Sequence, residues 1–548
     1  MTDQLPAPES DTSRTVDPPE VELEFGNEQD RKFQRRLGWP TLAAMTFSGM
    51  VGSGWLFASF YAAKDAGPMS LVAWCIAMVA TVLVGITFVE LGVTRPIAGG
   101  NVRWPSVLSG PAVGVMIGWV VFLQTAVGTP SEASGLLQYA SYWWPALIGK
   151  SGLTALGLVI ATLVLLVFAA INYFGVVLLA TVNNLITIFK VVVPFLTVVL
   201  LLATGFDSTN IATGGGWGAM GTGSMLTAIT AAGMIYAFGG IQTSSIMAGE
   251  TRNPRRDVPM GTFIGLGLAF VLYMLLQTSF IGAVPHDMLA SVGWHGLNFN
   301  SPFADIAVLL NLGWLSTLLL VDSVVSPGGA MFLGTGTSAR NTYGLGQNHT
   351  FPDWVARVHP KYGIPAIALG INTAVSILFL FIFQSWQGLV QALGMFFAVG
   401  YAVIAVAAGV SRFDPRLKVK PWAKGLSWIA PASFVLSGLI MFWAGWSEVR
   451  MAVLLFLISV PIYAFQMTRH RDLMPARSIK VGLWFLVFML AIGLLSWIGS
   501  FGGGANWIHA PYDSILVGVV SLAVYFWGRQ SSLAWLRSPE AADTAHRY

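Results

Sequence analysis

Charged side chains are scarce in this chain. They form 10% of its 548 residues, against 55% hydrophobic ones, and the mean hydropathy is +0.69. A water-soluble domain of that composition has too little polar surface to cover itself, which leaves an integral membrane protein. Cysteine is nearly missing too, and Cys75 alone excludes an intramolecular disulfide. The seven histidines (286, 295, 349, 359, 470, 509 and 546) all fall in expected loops or tails. That speaks against a membrane-buried metalloenzyme and against a histidine proton relay, and no metal, cofactor or nucleic-acid partner is expected. No short apolar run precedes a cleavage site near residue 1, so no secretory signal peptide is expected. The first 30 residues instead hold nine acidic residues against one base, Arg14, and form an acidic tail, drawn at 1–36 and expected to be disordered.

Long apolar runs fill the rest. A bilayer core of about 30 Å needs about 20 apolar residues per helix. Fourteen segments qualify: 39–62, 68–91, 112–142, 152–172, 176–203, 225–248, 260–284, 304–335, 365–386, 388–410, 426–445, 450–467, 481–499 and 511–528. Loops on the side of the N-terminus then carry 25 lysines and arginines, and those on the other side carry three (Lys64, Lys150 and Arg450). With Lys190, inside span five, these make up the 29. Such asymmetry puts both termini in the cytoplasm and supports an even number of spans. The expected setting is the cytoplasmic (inner) membrane.

Two spans are weakened at their middles. "SGMVGSG" in span one puts three glycines and two serines between Ser48 and Gly54. Ala44, Ser48 and Gly52, spaced by four, also make a small-residue packing face. Packing alone does not require Gly52-Ser53-Gly54, which spreads glycine over more than one face. "YAFGGIQTSS" in span six has Gly239-Gly240 at its middle, and Gly240 lies 186 residues beyond Gly54. Spans one and six begin on opposite sides of the membrane. Weak points at matching places are the signature of a five-plus-five inverted repeat with discontinuous helices. Backbone freed at membrane depth is tolerated only where it lines a cavity or is buried in protein. Amides from Gly52 to Gly54 can then hold a carboxylate, and carbonyls from Tyr236 through Ala237 to Phe238 an ammonium group. The expected substrate-binding set is Ser48, Gly49, Gly52, Ser53, Gly54, Tyr236, Ala237, Phe238, Gly239 and Gly240, and it suits a zwitterion.

Those residues lie in familiar motifs. "GMVGSGWLF", "FVELGVTRPIAGGNVRW" (88–104), "AFGGIQTSSIMAGETRNPRRDVP" (237–259) and "TSARNTYGLGQNHTFPDWVARVHPKYGIP" (337–365) resemble the amino acid–polyamine–organocation transporter superfamily over roughly residues 35 to 415. The resemblance implies an all-α, LeuT-like fold that works by alternating access. Its first repeat would span 37–203 and its second 225–410, followed by additional helices in 425–528 and a cytoplasmic tail, 529–548. The family commonly has twelve helices, so the last pair departs from its pattern. "TPSEASGLLQYASYWWP" (129–145) and "VDSVVSPGGAMF" (321–332) further resemble a bacterial branch that includes aspartate–proton symporters.

Three ionisable residues fall at membrane depth, where they are costly and mark function. Glu132 in span three is expected nearer the outer face, and Asp322 in span eight nearer the inner face. Their separation of 190 residues makes them approximate repeat mates. Lys190 lies 14 positions into span five, too deep to reach either face easily. Desolvation disfavours its ammonium form, so it can give up and regain a proton; a static ion pair with Glu132 or Asp322 is the plainer alternative. Its place also resembles that of a lysine in proton-coupled members of the superfamily. Glu90 and Glu250, at helix ends, are expected to anchor loops. With Arg450, the first residue of span twelve, counted to its loop, no arginine falls within a span, although a site dedicated to aspartate or glutamate would be expected to use one.

The expected function is proton-coupled uptake of an amino acid or small zwitterion, with protons as the coupling ion and the lipid bilayer as the other partner. A polyamine or amine carrier, an acidic amino acid carrier or exchanger, and a nutrient sensor on a transporter fold are the alternatives. A channel would need a selectivity filter, and no such segment is present.

Overall fold

The computed structural model describes residues 35–541 and 544, apart from 98, 175–178, 348–349, 418 and 472. Residues 1–34 of the expected acidic tail, His349, His546 and the first residues of span five lie outside the described residues.

Helix α1 (Trp39–Met50) carries Pro40 as its second residue, where a fixed φ suits the first helical turn. It stops at Val51, and after Gly52 and Ser53 the chain resumes as α2 (Gly54–Ala66). Gly67, with φ 57, turns it into α3 (Ser70–Thr94). The short α4 (Gly100–Ser109) leads through Gly110, φ 88, into α5 (Pro111–Ala140). A small hairpin, Ile148–Gly149 against Gly152–Leu153, precedes α6 (Ala155–Phe174), and α7 (Leu179–Thr204) follows.

The second half opens with another interrupted span. Helix α8 (Gly221–Ala231) ends before Gly233, φ 79, and the chain continues as α9 (Met234–Ala237), a tight turn over Gly239–Gln242 and α10 (Thr243–Ile246). Helix α11 (Pro254–Ala283) starts on a proline; α12 (His286–Val292) and α13 (Pro302–Leu309) occupy the connection to α14 (Gly313–Gln347). Next come α15 (Ala366–Phe383), α16 (Trp386–Ser411) and α17 (Leu426–Trp443). The last are α18 (Trp446–Leu457), α19 (Ser459–Arg469), α20 (Arg477–Ile498) and α21 (Tyr512–Leu536).

Among the described residues, ten helical runs are long and apolar enough to cross a membrane, or eleven with the bent span of α8–α10. One of the ten is Gly54–Thr94, which holds both α2 and α3. Helices α5 and α16 are each 83% buried along their apolar stretch and pack together at the centre. Helix α6 is only 22% buried there and turns Leu156, Val159 and Leu163 outward, as a lipid-facing helix must.

Four expectations are corrected. The interruption of span six begins at Gly233, upstream of Gly239-Gly240, because Gly233 is the residue that leaves the right-handed helical region. Span eight starts at Gly313 rather than 304, since Asn311 takes φ 60 and splits the apolar segment into α13 and α14. The expected C-terminal tail begins as helix: α21 continues to Leu536, held by the Trp535 indole N–H donating to the Val107 carbonyl at 3.1 Å. His286 opens α12 instead of lying in a loop.

Candidate functional site

The two interrupted spans meet. A Cβ built on Gly240 would lie 2.8 Å from the carbonyl carbon of Gly49 and 2.8 Å from the Thr46 oxygen, so only glycine lets these backbones touch. The hydroxyls of Thr46 and Ser244 hydrogen-bond at 2.7 Å across the same seam. On one side of the molecule the entering chain pairs with the chain leaving α10. The Leu37 N–H donates to the Glu250 carbonyl at 3.0 Å, and the Arg252 N–H to the Leu37 carbonyl at 2.9 Å.

Interrupting a helix frees backbone groups that water cannot reach, so each needs a partner. Tyr273, on α11, supplies one for both breaks. Its hydroxyl donates to the Met50 carbonyl, which ends α1, at 2.6 Å, and lies 3.4 Å from the Ala237 carbonyl, which ends α9. The ring stacks on Trp74, 4.9 Å away. The Trp74 indole N–H donates to Gln277, whose amide in turn donates to the Ser59 carbonyl at 3.1 Å. Lys190, from α7, donates to the Ser48 carbonyl at 3.4 Å.

Glu132 reaches the opening of α2. Its carboxylate accepts the Ser53 N–H at 3.0 Å and the Tyr236 hydroxyl. The Ser53 hydroxyl accepts the Trp386 indole N–H at 2.8 Å and lies 3.3 Å from the Tyr236 oxygen. Asp322 accepts the Ser326 hydroxyl at 2.8 Å, with Trp55 and Lys190 as polar neighbours. Lys190 lies within electrostatic reach of both acids.

Ser48, Gly49, Gly52, Ser53, Gly54, Tyr236, Ala237 and Gly240 thus converge, together with Lys190 and Glu132. Phe238 turns into the core, edge-on to Trp74 at 5.5 Å. Gly239 makes room for the Phe397 ring, which a Cβ there would meet at 2.5 Å. The structure places both acids by their neighbours. Glu132 sits on the break of span one, and Asp322 sits nine residues beyond the start of α14, because that helix starts later than the apolar run. Tyr273, Trp386 and Gln277 were not among the expected residues. Tyr273 and Gln277 did carry a signal, as polar side chains one turn apart on one face of an apolar span.

Glu90 is fully buried and anchors the chain after α16. It accepts the Trp422 and Ala423 N–H groups at 2.9 and 2.7 Å and the Arg412 Nε at 3.1 Å.

Residues 37–476 match the amino acid permease family. The chain belongs to the amino acid permeases. It is similar to the glutamate/serine transporter AimA of Bacillus subtilis (strain 168), 36% identical over 509 residues that cover 91% of this chain and 94% of that one. An aspartate-proton symporter of the same organism is 32% identical over 508 residues, covering 91% of this permease and 97% of the relative. The cationic amino acid transporter 4 of Mus musculus is 26% identical over 397 residues, 70% of this chain and 61% of its own.

Proposed function

We propose that this permease carries an α-amino acid across the cytoplasmic membrane by alternating access, with uptake coupled to protons. The observation that carries the reading is the seam between the two breaks. There the freed amide end of α2 and the freed carbonyl ends of α1 and α9 face one another within a protein interior. An amide end favours a carboxylate and carbonyl ends favour an ammonium, so the pair fits the two groups every α-amino acid shares. No arginine contacts the seam among the described hydrogen bonds and ion pairs, which supports a substrate uncharged overall, such as serine. Coupling is assigned to Lys190, with Glu132 and Asp322 as its acidic neighbours. Its ammonium on the Ser48 carbonyl ties α7 to the end of α1, and losing the proton would strip that tie of its charge and weaken it. The basic loop residues support fourteen crossings, with repeats at 37–203 and 225–410 and both termini cytoplasmic.

The test is Gly54→Leu. A Cβ at Gly54 would already sit 3.2 Å from the Tyr236 ring, so a leucine must push that ring into the seam. Binding and counterflow of labelled L-serine and L-glutamate in proteoliposomes are expected to vanish while expression and melting temperature hold. Ordinary counterflow by the variant would place the substrate elsewhere.

A further inference from the structure

The opening of α2 already holds a carboxylate, and it belongs to the protein. Helix α2 has thirteen residues, and its first N–H groups have no partner within the helix. Glu132 comes from α5, 79 positions along the chain, to accept the Ser53 N–H at 3.0 Å through Oε2. Its Oε1 accepts the Tyr236 hydroxyl, which belongs to the other broken span. The Trp386 indole fixes Ser53 from a third direction, at 2.8 Å. The residue is only 6% exposed, so it is lodged in the seam rather than resting on a surface.

Gly52 is shaped to this carboxylate. Its φ lies outside the left-handed region, so the backbone itself does not demand glycine there. A Cβ at Gly52, however, would come within 2.7 Å of Oε1 of Glu132. The glycine therefore keeps open the space that the carboxylate fills.

We propose that Glu132 is a resident stand-in for the substrate's α-carboxylate. It holds the amide and hydroxyl donors of the empty transporter and has to withdraw before a substrate carboxylate can take them. The proposal rests on the reading that the substrate's carboxylate binds at the opening of α2. Lys190, a cation within electrostatic reach of Glu132, is the partner available to the displaced side chain. The exchange keeps the amide end of α2 from being buried empty at any stage, which unpaired N–H groups at membrane depth would make costly. It also sets a threshold for selectivity. A ligand without a carboxylate gains no donors when it expels Glu132, whereas an amino acid recovers all of them.

The consequence runs opposite to that of a residue contacting the substrate's ammonium. Glu132→Gln and Glu132→Ala remove the competing anion, and both are expected to bind amino acids more tightly. The gain is about tenfold, the size of one charge-assisted contact no longer displaced. Glu132→Asp, too short to span both donors, is expected to tighten binding by a smaller factor and covers the case in which the other two fail to fold. Titration of L-serine, L-glutamate and L-serine methyl ester into the purified full-length protein reads this directly. Tighter binding of an acid by the variants, with no gain for the ester, supports the stand-in. Unchanged or weaker acid binding by variants of native melting temperature overturns it while leaving the site in place. An equal gain for acid and ester overturns the carboxylate site itself, as does a failure of all three ligands to bind native and variant proteins alike.

Discussion

Lys190 shows how a single residue can be legible from sequence while its partner is not. A lone cation 14 positions into an apolar run stands out by cost alone. Its acceptor, the Ser48 carbonyl, is a backbone atom that only becomes free because α1 stops two residues later. Lys190→Met keeps the length of the side chain and removes its proton. Amino acid binding is expected to stay within about threefold, while accumulation driven by a pH gradient is lost; a methionine variant that still concentrates substrate would move coupling to another group. Glu132 teaches the reverse. Its cost in an apolar span was legible and its partners were not, since counting residues along one helix does not locate a side chain against the break of another.

At the scale of elements, the break in span one falls inside the stretch from Ser48 to Gly54 that marks it in the sequence, because glycine and serine there outnumber anything packing needs. The break in span six was placed six residues late. Gly239-Gly240 catches the eye as a pair, yet their role is close approach and the departure from helix falls on Gly233. Asn311 likewise divides an apolar run that hydropathy alone reads as continuous. The seam between the broken elements makes a sharp contrast testable. Gly240→Ala drives a methyl against backbone at 2.8 Å, whereas a Cβ at Gly49 would meet only the Thr243 hydroxyl at 3.4 Å and the Gly240 Cα at 3.7 Å. Gly240→Ala is expected to cost about 1–3 kcal/mol, as overpacking does, and to abolish binding. Gly49→Ala should retain both. Thermal melts and ligand titrations of the two proteins side by side check this, and equal tolerance would mean that the breaks do not have to touch.

The whole molecule is tied together by contacts far from the seam. Arg95, after α3, and Asp414, after α16, form a buried ion pair at 2.8 Å. Arg416 joins the same carboxylate at 2.7 Å and reaches the Ala541 carbonyl at 2.8 Å, which brings in the C-terminal segment. Burial works against the Asp414 charge, but the Arg416 and Arg95 guanidinium groups more than offset it and hold the carboxyl below its usual range. A depressed carboxylate contributes stability above its unfolded value, about pH 3.9, and loses it as the pH falls through the folded one. Asp414→Asn is thus expected to cost about 3 kcal/mol near neutral pH, as for other buried pairs stripped of one partner. Its melting temperature should converge with that of the native protein below about pH 4, and a constant gap would deny the ion pair that role. The four apolar runs after α16, formed by α17, α18 with α19, α20 and α21, were legible as spans, but their purpose was not, because packing against a transporter core leaves no motif of its own.

Uptake energised by protons alone tests the account most directly. Proteoliposomes carrying the purified permease, alkaline inside and free of sodium, are given labelled L-serine or L-glutamate. The expected result is accumulation above the outside concentration that a protonophore abolishes and added sodium leaves unchanged. Accumulation that requires sodium, or none under a proton gradient when the same protein binds the amino acid, would contradict it.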